Sequence, residues 1–121
     1  MEEWNKGLMA HLGIRIVEVG PERVVGEIEV RDELKTTTSA VHGGTLMALA
    51  DTVGAIGTAA LGFKTATLES KTNFFAAATS GKIRAEATPL HKGKRSHVWQ
   101  TRVTDESGRL LSLTIQTQMI L

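Results

Sequence analysis

His42-Gly43-Gly44 and Asp51 are the residues of this chain whose types and spacing could do chemistry. Asp51 is the only ionisable side chain in the apolar run from Leu46 to Phe63. A carboxylate in such a run is expensive to bury without partners, which makes it a candidate for function. It can activate a water as a general base or attack a carbonyl carbon directly. The two glycines open the same run. A helix starting there presents unpaired backbone N–H groups and the positive end of its dipole, and glycine lets a reacting group approach the backbone. Gly43 and Gly44 can therefore hold a developing oxyanion.

The spacing adds a constraint. Gly43 and Asp51 are eight positions apart, or about 12 Å along a helix rising ~1.5 Å per residue, too far to touch one carbonyl within a chain. Two such helices packed antiparallel would bring Gly43 of one subunit to Asp51 of the other, and the Ala and Gly surface between them allows close approach. The expected unit is a homodimer with two equivalent sites.

Composition narrows the classes. The 121 residues, 41% hydrophobic and 22% charged, fit a single domain spanning 1–121. A net charge of +1 supplies no basic field for nucleic acid. With no cysteine, disulfides, thiolate chemistry and zinc-thiolate sites are excluded. His11, His42, His91 and His97 lack metal-ligand spacing, so no metal is expected. The start, Met1 to Trp4, is acidic and lacks the basic beginning and apolar run of a signal peptide, which makes a cytoplasmic location the expectation. The run from Leu46 to Phe63 has about the minimum length of a membrane span but is built from Ala, Gly and Thr around Asp51. It reads as a buried helix, and no membrane association is expected.

The elements that must position these groups follow from periodicity. Glu2 to Leu12 predicts a short helix, with Trp4, Leu8 and Leu12 spaced by four and Gly13 as the stop. Ile14 to Val19 and Arg23 to Val30 alternate about a Gly20-Pro21 turn, a β-hairpin. Arg31 to Val41 is polar and reads as a loop. Gly43 and Gly44 open the central helix and Gly62 closes it. Leu46, Leu49, Val53, Ile56 and Ala60 give an apolar stripe, while Ala48, Ala50, Ala55 and Ala59 keep most of the remainder small, so protein should surround the helix. Gly54 and Gly57 each cost about 1 kcal/mol relative to Ala and permit close approach by another backbone. Four strands follow, Thr65 to Phe75, Gly81 to Leu90, Arg95 to Thr104 and Arg109 to Leu121, the last three spaced as a meander. The expected class is α+β, an antiparallel β-sheet wrapped around one long central helix.

That order of elements resembles the hotdog fold. Val41-His42-Gly43-Gly44, Asp51, the strand Thr67-Leu68-Glu69-Ser70-Lys71-Thr72-Asn73-Phe74 and the turn Lys92-Gly93-Lys94-Arg95 together resemble the PaaI-like (phenylacetate-degradation) branch of the hotdog acyl-CoA thioesterases, over residues 12–121. The resemblance implies hydrolysis of acyl-CoA thioesters to a free acid and coenzyme A. Asp51 is then general base or nucleophile, and the Gly43 amide of the facing subunit polarises the carbonyl. It implies no cofactor, coenzyme A arriving as part of the substrate, and dimers commonly paired into a homotetramer.

Further residues take roles from the same resemblance. Thr67 stands where related enzymes often have a hydroxyl that helps to hold the attacking water; as one Thr in a strand it reads equally as β filler. Thr36 stands six residues before His42, where family members commonly have Asn or Gln, so the group that contacts the thioester or the water departs from the pattern. His42 could orient the substrate carbonyl or the loop, or simply be a satisfied histidine at a helix start. Lys92, Lys94 and Arg95, with Gly93 allowing a tight turn, are the best candidates for the phosphates of coenzyme A; the bland reading is a solvated strand face. Two other classes stay open. A hotdog dehydratase acting on hydroxyacyl thioesters would need His42 directly as acid or base, and a non-catalytic acyl-CoA-binding module would have no need of Asp51. The acyl group itself is open among aryl, phenylacetyl-type and medium-chain groups.

Overall fold

The computed structural model describes residues 2–121. After a 3-10 turn at Glu2–Trp4 come a short helix α1 (Gly7–Leu12) and the strands β1 (Arg15–Val19) and β2 (Val24–Glu29). The long helix α2 (Gly43–Ala59) follows, then β3 (Thr65–Phe74), β4 (Lys82–Lys92), β5 (Ser96–Thr104) and β6 (Leu110–Ile120). The six strands make one antiparallel sheet in the order β1-β2-β4-β5-β6-β3. The expected sheet around a central helix is the one found, with β4, β5 and β6 as a meander and β3 returning beyond β6 as an edge.

Packing fixes α2 on the inner face of the sheet. Leu46, Leu49, Val53 and Ile56 are buried against a core that includes Val24, Ile28, Ile83, Ala85, Trp99, Val103 and Leu111. Each such burial contributes about 1.5–3 kcal/mol. Gly54 and Gly57 let two side chains, rather than another backbone, come against the helix. A Cβ at Gly57 would lie 2.5 Å from the Trp99 ring, and one at Gly54 would overlap Oε1 of Gln116. Trp99 Nε1 donates to the buried hydroxyl of Thr58 at 2.9 Å, and that hydroxyl meets Nδ1 of His97, also at 2.9 Å. Thr58 accepts from Trp99 and keeps both a proton and a second lone pair for Nδ1, so its hydroxyl ties the Trp99 and His97 rings together beneath α2. Burial, reinforced by the charges of Lys92 and His91, holds His97 below the ordinary histidine range.

Several expectations need correction. The N-terminal helix is broken, because Gly7 adopts φ +57 and turns the chain between the 3-10 turn and α1. The stretch from Arg31 to Val41 contains a 3-10 turn, Asp32–Leu34, anchored by buried Leu34, and a bridge between Lys35 and Val41. Ala60 lies beyond α2 and is exposed, so the apolar stripe ends at Ile56. Nor is α2 surrounded within one chain, since Met47 is exposed and Ala48, Asp51, Thr52, Ala55 and Ala59 are only partly covered. Among the described residues no helix is long and apolar enough to cross a membrane.

Candidate active site

Asp51 lies about two turns into α2, on the partly covered side of the helix. Thr67 of β3 donates from Oγ1 to Asp51 Oδ1 at 2.6 Å, and Gln116 of β6 donates from Nε2 to the same oxygen at 3.0 Å. Among the described residues nothing donates to Oδ2, so one oxygen is anchored and the other is left for reactants. β3 and β6 are paired through Thr67↔Gln118 and Ser70↔Gln116, which places the hydroxyl and both amides on the helix-facing side of the sheet. Behind the first contacts, Gln118 Oε1 accepts from Gln116 Nε2 at 2.9 Å, and Gln118 Nε2 donates to Thr65 Oγ1 at 3.0 Å. Thr65 in turn donates to the Met119 carbonyl at 2.8 Å.

Gln116 and Gln118 went unnoticed in the sequence, yet they are 1% and 0% exposed, Gln116 holding the carboxylate and Gln118 holding Gln116. Their spacing of two does put them on one face. The signal was masked by Ile115 and Met119, which suggest that the apolar residues of β6 point inward, whereas these two are 41% and 40% exposed.

The start of α2 forms a second cluster. His42 is its N-cap, and its Nδ1 accepts the Gly44 N–H at 2.7 Å. The Gly44 N–H, expected to face substrate, is bonded in the helix's own cap. The Gly43 N–H has no partner among the described residues, and the Phe74 ring lies over this glycine, 3.2 Å from where a Cβ would stand. Because Nδ1 accepts, a neutral His42 carries its hydrogen on Nε2, and the exposed ring can offer that N–H outward. Thr36 belongs to the same end. Its amide donates to the Ala40 carbonyl at 2.7 Å, and its hydroxyl lies 2.8 Å from that of Thr38. Within one chain the structure thus gathers Thr36, His42 and Gly43 at the helix start, and Asp51 with Thr67 about 12 Å along it.

The basic turn divides. Lys92 Nζ is tied to the Pro21 carbonyl and lies 3.4 Å from Glu22 Oε1, so this ammonium braces the β1–β2 turn. Gly93 closes the β4–β5 turn by donating to the Ser96 carbonyl at 2.9 Å. Lys94 and Arg95 are exposed beside it. Among the described residues no group of three or more acids or histidines could hold a metal ion.

Two cavities meet at Asp51. One, of about 320 Å³, is lined by Trp4, Met9, Thr52, Ala55, Ile56, Ala59 and Thr65. The other, of about 300 Å³, is lined by Leu8, Met47, Ala48, Thr67 and Ser70. Helix α1 reaches both, with Met9 on one side and Leu8 on the other. A larger hollow of about 420 Å³, between Glu27, Lys82, Arg84, Asp105 and Glu106, is charged and holds none of the candidate residues.

Comparison with known proteins gives the family and the fold. A family described as the thioesterase superfamily matches residues 38–112. The 1,4-dihydroxy-2-naphthoyl-CoA hydrolase of Listeria monocytogenes is 32% identical over 114 residues, covering 89% of this chain and 90% of that protein. The crystal structure of a thioesterase from Haemophilus influenzae superposes with a TM-score of 0.94 at 26% identity, covering 99% of this chain and 86% of that one. The E. coli PaaI protein from the phenylacetic acid degradation operon shares the fold, with a TM-score of 0.93 at 21% identity over 99% of this chain and 88% of its own. The architecture is that of the hotdog thioesterases.

Proposed function

The chain belongs to the thioesterase superfamily, and from that premise we propose that it hydrolyses acyl-CoA thioesters, with Asp51 as the residue that acts at the carbonyl. The observation that carries the proposal is the carboxylate itself, with Oδ1 held by Thr67 and Gln116 and Oδ2 open at the border of two cavities. A binding module has no use for so prepared an acid.

The reaction needs donors as well. Two copies with their α2 helices antiparallel would set the Gly43 N–H, and beside it the His42 Nε2–H, of one subunit against the substrate carbonyl above Asp51 of the other. The dimer is part of the proposed mechanism, and a homotetramer of two dimers is its proposed assembly. No cofactor is needed, because coenzyme A enters as part of the substrate. The apolar cavity at Trp4, Met9, Ala55, Ile56 and Ala59 suits the acyl group, and Lys94 and Arg95 suit the phosphates. The dehydratase reading fares worse, since Nδ1 accepts from Gly44 and Nε2 of the neutral ring carries the hydrogen, which leaves His42 no free lone pair with which to take a proton from substrate.

Release of free thiol from a panel of acyl-CoAs tests the activity, comparing the wild type with Asp51→Asn. A wild type that hydrolyses no thioester would overturn it. The shared site is tested by mixing Asp51→Asn chains with Gly43→Pro chains. Proline is tolerated at a first helical position and lacks the N–H, and the half-exposed Phe74 ring can swing aside. Heterodimers should regain one intact site; a mixture as inactive as its parents would reject the cross-subunit arrangement.

A further inference from the structure

We infer that Gln118 is a positioning residue for proton transfer, the alternate acceptor of the Thr67 hydroxyl proton when Asp51 is protonated, and that Asp51 therefore works as a general base rather than as a nucleophile. The inference rests on the thioesterase reading for its consequence but not for its geometry. Thr65 can donate only one proton and gives it to the Met119 carbonyl, so it must accept from Gln118. That fixes the Gln118 amide, with Oε1 toward Thr67 and Gln116. Gln116 Nε2 faces three oxygens, Asp51 Oδ1, the Asp51 carbonyl at 3.4 Å and Gln118 Oε1, which fixes the second amide.

Thr67 is then left with one proton and two acceptors. Asp51 Oδ1 and Gln118 Oε1 each lie 2.6 Å from its Oγ1. With Asp51 as a carboxylate, only one of these contacts is a hydrogen bond, and the other sets lone pair against lone pair. A proton on Asp51 turns both into hydrogen bonds, Asp51 donating to Thr67 and Thr67 to Gln118. Gln118 is fully buried, so no solvent water replaces it in that chain.

The acid form is the state a general base must pass through. Water gives its proton to Asp51 while its oxygen bonds to the carbonyl carbon. Collapse breaks the C–S bond, and the proton passes from Asp51 to the departing sulfur, restoring the carboxylate. A proton received on Oδ2 reaches Thr67 by a half-turn about Cβ–Cγ, a soft two-fold torsion. A nucleophilic Asp51 would instead become an anhydride, carry no proton and need no second acceptor. Among the described residues no ionisable side chain besides Asp51 itself stands in this network. On the elements around it, His11 lies on α1, and Glu69 and Lys71 lie on the outer side of β3 opposite Thr117 and Ile115. His97 of β5 pairs with Gln118, and His42 of the facing copy would join in the proposed dimer.

The test compares the wild type with Gln118→Met, which removes the acceptor, and Gln118→Glu, which keeps it and adds charge. The acidic limb of the kcat/KM pH profile should move about one pH unit lower in Gln118→Met. It should move by at least as much in the opposite direction in Gln118→Glu. A merely structural role would lower kcat and leave the limb in place. The same shifts should appear without substrate in the infrared band of the protonated carboxyl that Asp51→Asn removes. A band that shifts while no thioester is cleaved refutes the activity and keeps the proton chain. Folded variants whose band and limb stay where the wild type has them overturn the inference, and if Gln118→Met does not fold, an unmoved band in Gln118→Glu is enough.

Discussion

On its inner face α2 turns Gly54 and Gly57 toward the sheet, and both spaces are filled, by Gln116 and by the ring of Trp99. On its outer face the small residues Ala48, Ala55 and Ala59 line cavities that the chain itself leaves open. Smallness has opposite uses on the two sides. Inside, it admits large side chains and fixes the distance between helix and sheet; outside, it keeps room beside Asp51. The contrast teaches that a small-residue helix has no single meaning, and that the partner on each face decides it.

The largest effect should come from Asp51→Asn. Loss of a general base typically costs 10²–10⁴ in rate, so thiol release should fall by about 10³-fold while the unfolding temperature stays within a few degrees. A large loss of stability would erase the distinction between the faces. Gly57→Leu strikes the other side, where its side chain and Trp99 cannot share one space; about 3 kcal/mol of stability should be lost in denaturant titration. A stable Gly57→Leu would show that the inner fit is loose. Ala59→Leu sharpens the comparison. Stability should change by no more than about 0.5 kcal/mol, while kcat/KM for the preferred acyl-CoA should fall by about tenfold as the cavity narrows.

The smallest effect concerns His97. Its folded value lies below its unfolded one, so the folded chain resists the charge. Stability is therefore complete above about pH 6.5, the unfolded histidine value, and declines as pH falls toward the folded value. His97→Gln should flatten that slope in denaturation midpoints measured from pH 7.5 to 5.

Most of the frame was legible because it depends on local rules. Alternation marked the strands, Gly43 and Gly44 marked the start of α2 although its end falls at Ala59, three residues before Gly62, and the eight-residue interval between Gly43 and Asp51 kept them from sharing a carbonyl within one chain. What escaped depends on contacts distant in sequence. Gln116 and Gln118 belong to the site only because β3 and β6 pair at the one place where the sheet's inner face meets a carboxylate, and so polar residues replace apolar ones there. Only the fold sets the Lys92 ammonium against the β1–β2 turn. Only the cap geometry shows that the Gly44 N–H is bonded to His42. Nothing in a single sequence distinguishes a spent group from an available one.

The position of β3 has a consequence for the life of the chain. This ten-residue strand ends the sheet with one edge bare, and Leu68, Phe74 and Phe75 are exposed on or just after it. An uncapped edge is a template for any strand it meets. If the twin copy is the intended match, a freshly synthesised chain has a limited time to find it before a wrong one does. Slow synthesis, low temperature or co-expression of a holdase should then raise the yield of native protein more than any change in the core.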